Sequence, residues 1–203
     1  EIYVGYDFAF GQGRRGTITL LQQLGSQAGF QVHIIDPIGV EGRVVSSSAV
    51  RQWIQEGRVD EVALLLGRVY SIGGTVVEGY QKGRDLGFPT ANIRSPNELL
   101  PERGVYAVLV DRHARRYEGV ANIGFNPTFG RTQLSVEIHL FDFADHLYGE
   151  TIEVHFVKKI REERAFPSVS NLVEQIRKDV QTAHVLLEAH HAQATKTGLS
   201  NED

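Results

Sequence analysis

The chain has 203 residues, 41% hydrophobic and 23% charged, with a formal net charge of −4. That length suits one large or two small globular domains, and the mild negative charge argues against a nucleic-acid partner held by a basic surface. There is no cysteine, which excludes a disulfide framework and a thiolate metal site and fits the reducing cytoplasm expected for this chain. No apolar run reaches membrane-spanning length and no signal-peptide pattern is present, so no membrane partner is expected. The chain opens on Glu1, directly into the apolar run Ile2-Tyr3-Val4-Gly5, so a preceding N-terminal part is expected. Methionine is absent throughout, and nothing in the sequence explains why. The oligomeric state is not legible.

In chain order, residues 1–67 read as α/β. Ile2 to Val4 form an apolar strand that enters the loop Gly11-Gln12-Gly13-Arg14-Arg15-Gly16. A helix from Thr17 to Ala28 follows, with Leu20, Leu21 and Leu24 on one face and Gly29 at its C-terminal cap. Phe30 to Ile35 read as a second strand. Ser46-Ser47-Ser48 offer N-cap oxygens to a helix that runs through Glu56, and Val59 to Leu66 form a short helix ending at Gly67.

From residue 68 to 203 the period changes to two. Strands are expected near 69–79, 104–111, 116–123, 134–142 and 151–158. Short strands without intervening helices predict a small antiparallel barrel. A long helix from Val169 to His190, capped by Ser168, carries the stripe Val169, Leu172, Val173, Ile176, Val180, Ala183 and Leu187. That stripe predicts packing on the barrel, and the polar residues after His191 are expected to fray. The fold class is therefore α+β, with an α/β part over 1–67 and a β-barrel with a long C-terminal helix over 68–203.

The richest stretch is Gly83-Arg84-Asp85-Leu86-Gly87-Phe88-Pro89-Thr90-Ala91-Asn92. Its glycines permit close backbone approach to a ligand, and successive N–H groups in such a turn can form an anion-binding nest. Thr90 and Asn92 carry neutral oxygens suited to a hard cation such as Mg²⁺. An ordinary Gly/Pro connection, with both side chains tying down the turn, satisfies the same residues. In the strand Ser135-Val136-Glu137-Ile138-His139-Leu140, Val136, Ile138 and Leu140 share one face and Glu137 and His139 the other. Glu137 is the strongest candidate base, although a glutamate on the solvent face of a strand has the same pattern. The histidines show no metal-ligand arrangement. His139 reads as a satisfied barrel residue, and His184, His190 and His191 as contacts with the dipole of the last helix.

Several blocks recur in a recognisable order: Lys82-Gly83-Arg84, Gly87-Phe88-Pro89-Thr90-Ala91-Asn92, Gly104-Val105-Tyr106-Ala107, Gly119-Val120-Ala121-Asn122-Ile123-Gly124, Pro127-Thr128-Phe129, Val136-Glu137-Ile138-His139-Leu140 and Lys159-Ile160-Arg161-Glu162-Glu163. In this the chain resembles riboflavin kinases, specifically the kinase half of bacterial bifunctional riboflavin kinase/FAD synthetases, over roughly residues 3 to 188. The resemblance implies ATP-dependent phosphorylation of riboflavin to FMN. Glu137 would be catalytic. Thr90 and Asn92 would hold Mg²⁺ and the ATP phosphates. Gly79, Lys82, Gly83, Arg84, Gly87, Phe88, Pro89 and Asn122 would complete the nucleotide site. Tyr106, Phe129, Arg161, Glu163 and Phe166 would contact the flavin. Lys82 and Arg84 are equally readable as solvated loop residues, and Lys158 to Arg161 as a solvated charge run.

Residues 3–67 resemble the later part of the family's Rossmann-like nucleotidyltransferase domain, which makes FAD from FMN and ATP. Asp7, Phe8, Gly11, Arg14 and Arg15 match its flavin- and nucleotide-side loop. Ser46, Ser47, Ser48 and Arg51 match its helix start near the ATP phosphates, although Ser47 or Ser48 also serves as a plain helix cap. The family's Gly/His-rich first motif has no counterpart here. This chain alone is therefore expected to make FMN but not FAD. A non-catalytic flavin-binding module, or a nucleotide-dependent kinase of another small alcohol, are the alternatives.

Overall fold

The computed structural model describes residues 1–40, 42–79, 82–125 and 134–197. By packing, the chain forms two units, Glu1–Ser47 and Ser48–Asp203.

In the first unit, β1 (Ile2–Gly5) pairs in parallel with β2 (Val32–Ile35). Helix α1 (Ile18–Ala28) supplies the crossover that a parallel pair requires. The Thr17 side chain caps it by accepting the Leu20 amide at 3.2 Å, and Gly29 ends it. A short antiparallel pair follows, β3 (Gly39–Val40) with β4 (Arg43–Val44).

The second unit contains helices α2 (Ser47–Gln55) and α3 (Val59–Leu66), a barrel and a long helix. The barrel is made from β5 (Tyr70–Val77), β6 (Ala91–Arg94), β7 (Gly104–Arg112), β8 (Arg115–Phe125), β9 (Leu134–Leu140) and β10 (Thr151–Arg161). Every pairing is antiparallel, in the closed order β10-β5-β6-β9-β8-β7. Closure leaves no strand edge for another chain to extend. A one-turn helix, α4 (Lys82–Asp85), precedes β6. Helix α5 runs Val169–Thr197, with the Ser168 hydroxyl accepting the Asn171 amide at 3.2 Å.

Alternation sorts the strands into two faces. Ile72, Val108, Ile123, Val136, Ile138 and Phe156 point inward into the barrel core. Ala107, Leu109, Val157 and Phe141 point outward and meet Ala183 and Leu187 of α5. Full burial of a side chain like Leu187 contributes about 1.5–3 kcal/mol, so the stripe on α5 is enough to hold the helix against the sheet.

The expected α+β class, with its barrel and packed C-terminal helix, is what the structure contains. Three details differ. Packing divides the chain at Ser47/Ser48, where the sequence suggests a boundary near residue 67: Val59 of α3 is buried in the barrel core, and the Ile54 carbonyl of α2 accepts the Glu102 amide at 3.2 Å. Strand β6 lies where the sequence reads as a turn, and it completes the barrel between β5 and β9. Helix α5 continues six residues past His191 to Thr197.

Candidate active site

Strand register builds a polar row across the outer face of the barrel. Asn92 on β6 pairs with Glu137 on β9, and Glu137 pairs with Asn122 on β8. The row continues through Val105 on β7 to Arg161 at the end of β10. Residues paired directly across strands sit about 4.5–5.5 Å apart at Cβ, so three polar side chains from distant parts of the sequence become neighbours.

Asn92 is buried, and its Oδ1 has no hydrogen-bond partner among the described residues. A buried, unpaired carbonyl oxygen is costly unless it serves a ligand. Gly79 makes room for this amide, since a Cβ there would lie 2.0 Å from Asn92 Nδ2. Glu137 is half-buried. Burial first, and then the nearby Glu163 carboxylate, push its pKa above the ordinary glutamate value. Glu163 approaches across Gly124, where a Cβ would lie 2.3 Å from Glu163 Oε1. Arg103 reaches Glu163 at 4.0 Å and lies over the Phe125 ring at 5.0 Å.

The Gly83–Asn92 stretch folds differently from the expected nest. The Leu86 and Phe88 amides donate to the Gly83 carbonyl at 3.2 and 2.8 Å, and the Gly87 amide donates to Arg84 at 3.1 Å. Gly87 turns the chain at φ 83°. These three amides are spent inside the turn and offer nothing to an anion. The turn instead delivers Thr90 and Asn92 to β6. Thr90, Arg84 and Pro89 line a cleft of 250 Å³ whose far wall includes Phe143, Asp145 and Tyr148. A larger cavity of 630 Å³ contains Arg103, Phe125 and Val136 but neither Asn92 nor Glu137.

At the Arg161 end, the guanidinium sits over Phe166 at 5.6 Å, and Arg164 sits over the same ring at 5.0 Å. The charge run before it is not simply solvated. Lys158 pairs with Asp60 at 3.1 Å, and Lys159 with Glu102 at 2.7 Å and Glu162 at 2.6 Å.

One residue expected at the flavin lies on the inner face. Tyr106 has no exposed surface, packs edge-on against Phe156 inside the core, and donates its hydroxyl to the Glu102 carbonyl at 2.5 Å. It belongs to the inner face, opposite the row. Phe129, with the rest of residues 126–133, and the Lys82 side chain lie outside the described residues. The histidines have side-chain and backbone partners. His139 donates Nδ1–H to the Pro89 carbonyl at 2.9 Å. His191 and His184 face Glu118 at 3.0 and 3.6 Å, well inside the longer helix. His155 gathers with Asp111 and Glu153 within 4.8 Å. Arg116 already holds Asp111 through bonds of 2.7 and 2.8 Å, so this group reads as an ion-pair network.

In the first unit, Asp7, Phe8, Gly11, Arg14 and Arg15 share one loop. Arg14 Nη2 donates to the Asp7 carbonyl at 3.3 Å, and Phe8 stacks on Phe10 at 5.9 Å. Ser46 and Ser47 close that unit, whereas Ser48 and Arg51 belong to the second.

Sequence reasoning missed Asp179. It lies within the apolar stripe of α5, and it is 2% exposed and bound to Arg161. A carboxylate in the middle of a buried helical stripe was the available signal.

Fold and site together define the second unit as a small closed antiparallel barrel with an enzyme-type polar row beside a glycine-shaped turn. The chain belongs to the riboflavin kinase family: the family model of that description matches residues 66–187. A second model, FAD synthetase, matches residues 1–49. The chain is 41% identical over 181 residues to a bifunctional riboflavin kinase/FMN adenylyltransferase of Haemophilus influenzae, covering 89% of this chain and 59% of that protein. It is 40% identical over 184 residues to the Bacillus subtilis protein of the same name, covering 88% and 58%. The chain thus spans under two thirds of the length of these relatives. Among solved structures it is similar to one described as a macrolide-efflux protein from Streptococcus pneumoniae, with TM-score 0.77 and 34% identity over 89% of this chain and 58% of that one. No described helix here is long and apolar enough to cross a membrane.

Proposed function

We propose that this chain transfers the γ-phosphoryl group of ATP to the ribityl 5′-hydroxyl of riboflavin, giving FMN and ADP. The observation that carries the reading is the row Asn92–Glu137–Asn122, with a buried unpaired oxygen beside a half-buried carboxylate of raised pKa. Membership of the riboflavin kinase family supports it.

Glu137 accepts the hydroxyl proton as that oxygen bonds to the γ-phosphorus, and the bond from phosphorus to the β–γ bridging oxygen breaks with ADP as leaving group. A carboxylate whose pKa is raised by burial is a stronger proton acceptor than an ordinary one. Asn122 flanks it on the next strand and helps to orient the hydroxyl. The residues present fit Mg²⁺: the Asn92 amide oxygen and the Thr90 hydroxyl are hard neutral donors, and the Asn92 oxygen has no partner among the described residues. Mg²⁺ bound there would neutralise charge on the β- and γ-phosphates. Arg84, beside Thr90 in the smaller cleft, offers a further positive charge. Arg161, Phe166 and Glu163 form the flavin end, where a cation and an aromatic face suit a flat ring system.

The first unit, on this reading, is the later part of an FMN adenylyltransferase domain, and this chain alone does not adenylylate FMN. The test is chromatographic: incubate the chain with riboflavin, ATP and Mg²⁺ and resolve FMN from FAD. FMN without FAD is expected. Phosphorylation of other sugar or vitamin alcohols but not riboflavin would refute the substrate assignment, and riboflavin binding without any product would favour a non-catalytic flavin binder.

A further inference from the structure

We infer that Asp179 is a positioning residue for the flavin end of the site; the inference rests on the riboflavin kinase reading. The Asp179 side chain is 3% exposed, on the face of α5 that meets the barrel. Arg161 Nε approaches both of its oxygens at 3.0 Å and Nη2 reaches one at 2.7 Å. Gln175, one turn earlier on α5, donates to the same carboxylate at 2.8 Å. A bidentate arginine–carboxylate pair fixes the guanidinium plane as well as its place.

The consequences run along the segment that follows β10. Arg161 Nη1 donates to the Glu162 carbonyl at 2.9 Å, pinning the start of that segment. The Arg161 guanidinium, held edge-on by Asp179, keeps a face for Phe166 at 5.6 Å. Arg164 covers the same ring at 5.0 Å and donates to Gln175, closing a loop of contacts back to Asp179. Between these anchors lies Glu163, set against Gly124 and close enough to Glu137 to raise its pKa. The Asp179 carboxylate stays buried where α5 meets the barrel and would itself touch no substrate. Its carboxylate instead sets where Arg161, Phe166 and Glu163 stand relative to the row. A mere staple between α5 and β10 would act on folding alone, whereas a positioning residue acts on one substrate more than the other.

The experiment measures KM for riboflavin and for ATP, kcat, and riboflavin affinity by quenching of flavin fluorescence, in the wild type, Asp179→Asn and Gln175→Ala, with thermal unfolding of each. Asp179→Asn keeps the shape and loses the charge. Losing a charge-assisted hydrogen bond predicts a riboflavin KM and Kd raised about tenfold or more, with the ATP KM within about twofold. Gln175→Ala leaves the ion pair and should raise the riboflavin KM about two- to fivefold, again without moving ATP. It decides the matter if Asp179→Asn does not fold. Both KM values rising together, or unfolding temperature falling while riboflavin binding holds, would reduce Asp179 to a staple. A folded wild type that binds no riboflavin would overturn the riboflavin kinase reading together with this one. A wild type that makes FMN while the variants show no riboflavin-selective change would overturn this inference alone.

Discussion

The two units present their apolar strands differently. In the second, six strands close on themselves, and Ile72, Val108, Val110, Ile123 and Val154 are at most 1% exposed. In the first, the described strands pair only two by two, β1 with β2 and β3 with β4; Tyr3 is 61% exposed, Ile34 and Ile35 48%, and Ile38 66%. Among its described residues only Val4, Gly16 and Gly25 are buried. Closure also explains why the second unit can hold a precise site. A row of side chains is only as fixed as the register beneath it, and the barrel's register is locked by burial of its whole inner face.

The comparison can be tested from its strongest consequence downward. Leu187→Ala, at the junction of α5 and the barrel, should destabilise the second unit by about 2–5 kcal/mol, read from denaturant unfolding followed by the single tryptophan, Trp53 of α2. A loss under 1 kcal/mol would mean that α5 is not integral to the barrel's stability. Gly79→Ala should cost about 1–3 kcal/mol of stability and reduce turnover about 10²-fold, because its Cβ would strike the buried Asn92 amide. Full activity in that variant would sever Asn92 from the reaction.

Glu163→Gln probes the electrostatics of the row. In the proposed mechanism Glu137 must be ionised to take a proton, so its raised pKa should move the acid limb of the kcat–pH profile upward. Burial, the larger cause, remains in the variant, and only the carboxylate's share is removed. The limb should therefore shift part of the way to lower pH. The same pKa acts on stability with a definite sign. The folded state holds the Glu137 proton more tightly than the unfolded state, so the associated stability is present at low pH and lost as pH rises through the folded pKa. Replacing Glu137 with Gln should flatten that decline. The smallest effect belongs to the first unit: Ile38→Ser, at a side chain already mostly in solvent, should change stability by less than about 0.5 kcal/mol.

Much of this architecture was legible in the sequence. Helix α3 falls on Val59–Leu66 as its apolar period and closing glycine indicate, and α1 is capped by Thr17 and Gly29 as expected. What escaped was non-local. Strand β6 is four residues between Pro89 and Ser95, too short to show a period, and it exists because β5 and β9 pair with it. The register that joins Asn92, Glu137 and Asn122 lies between strands. The resemblance supplied these residues without supplying their adjacency. The inward orientation of Tyr106 was hidden for the same reason, since a motif does not say which face of a strand a residue takes. Asp179 was overlooked because a single carboxylate barely perturbs the apolar pattern of a long helix.

The most direct test of the central claim compares the wild type with Glu137→Gln, measuring FMN formed from riboflavin, ATP and Mg²⁺ alongside riboflavin binding. The account predicts a folded variant that binds riboflavin as the wild type does and turns over about 10²–10⁴-fold more slowly. A variant that makes FMN at the wild-type rate would contradict it.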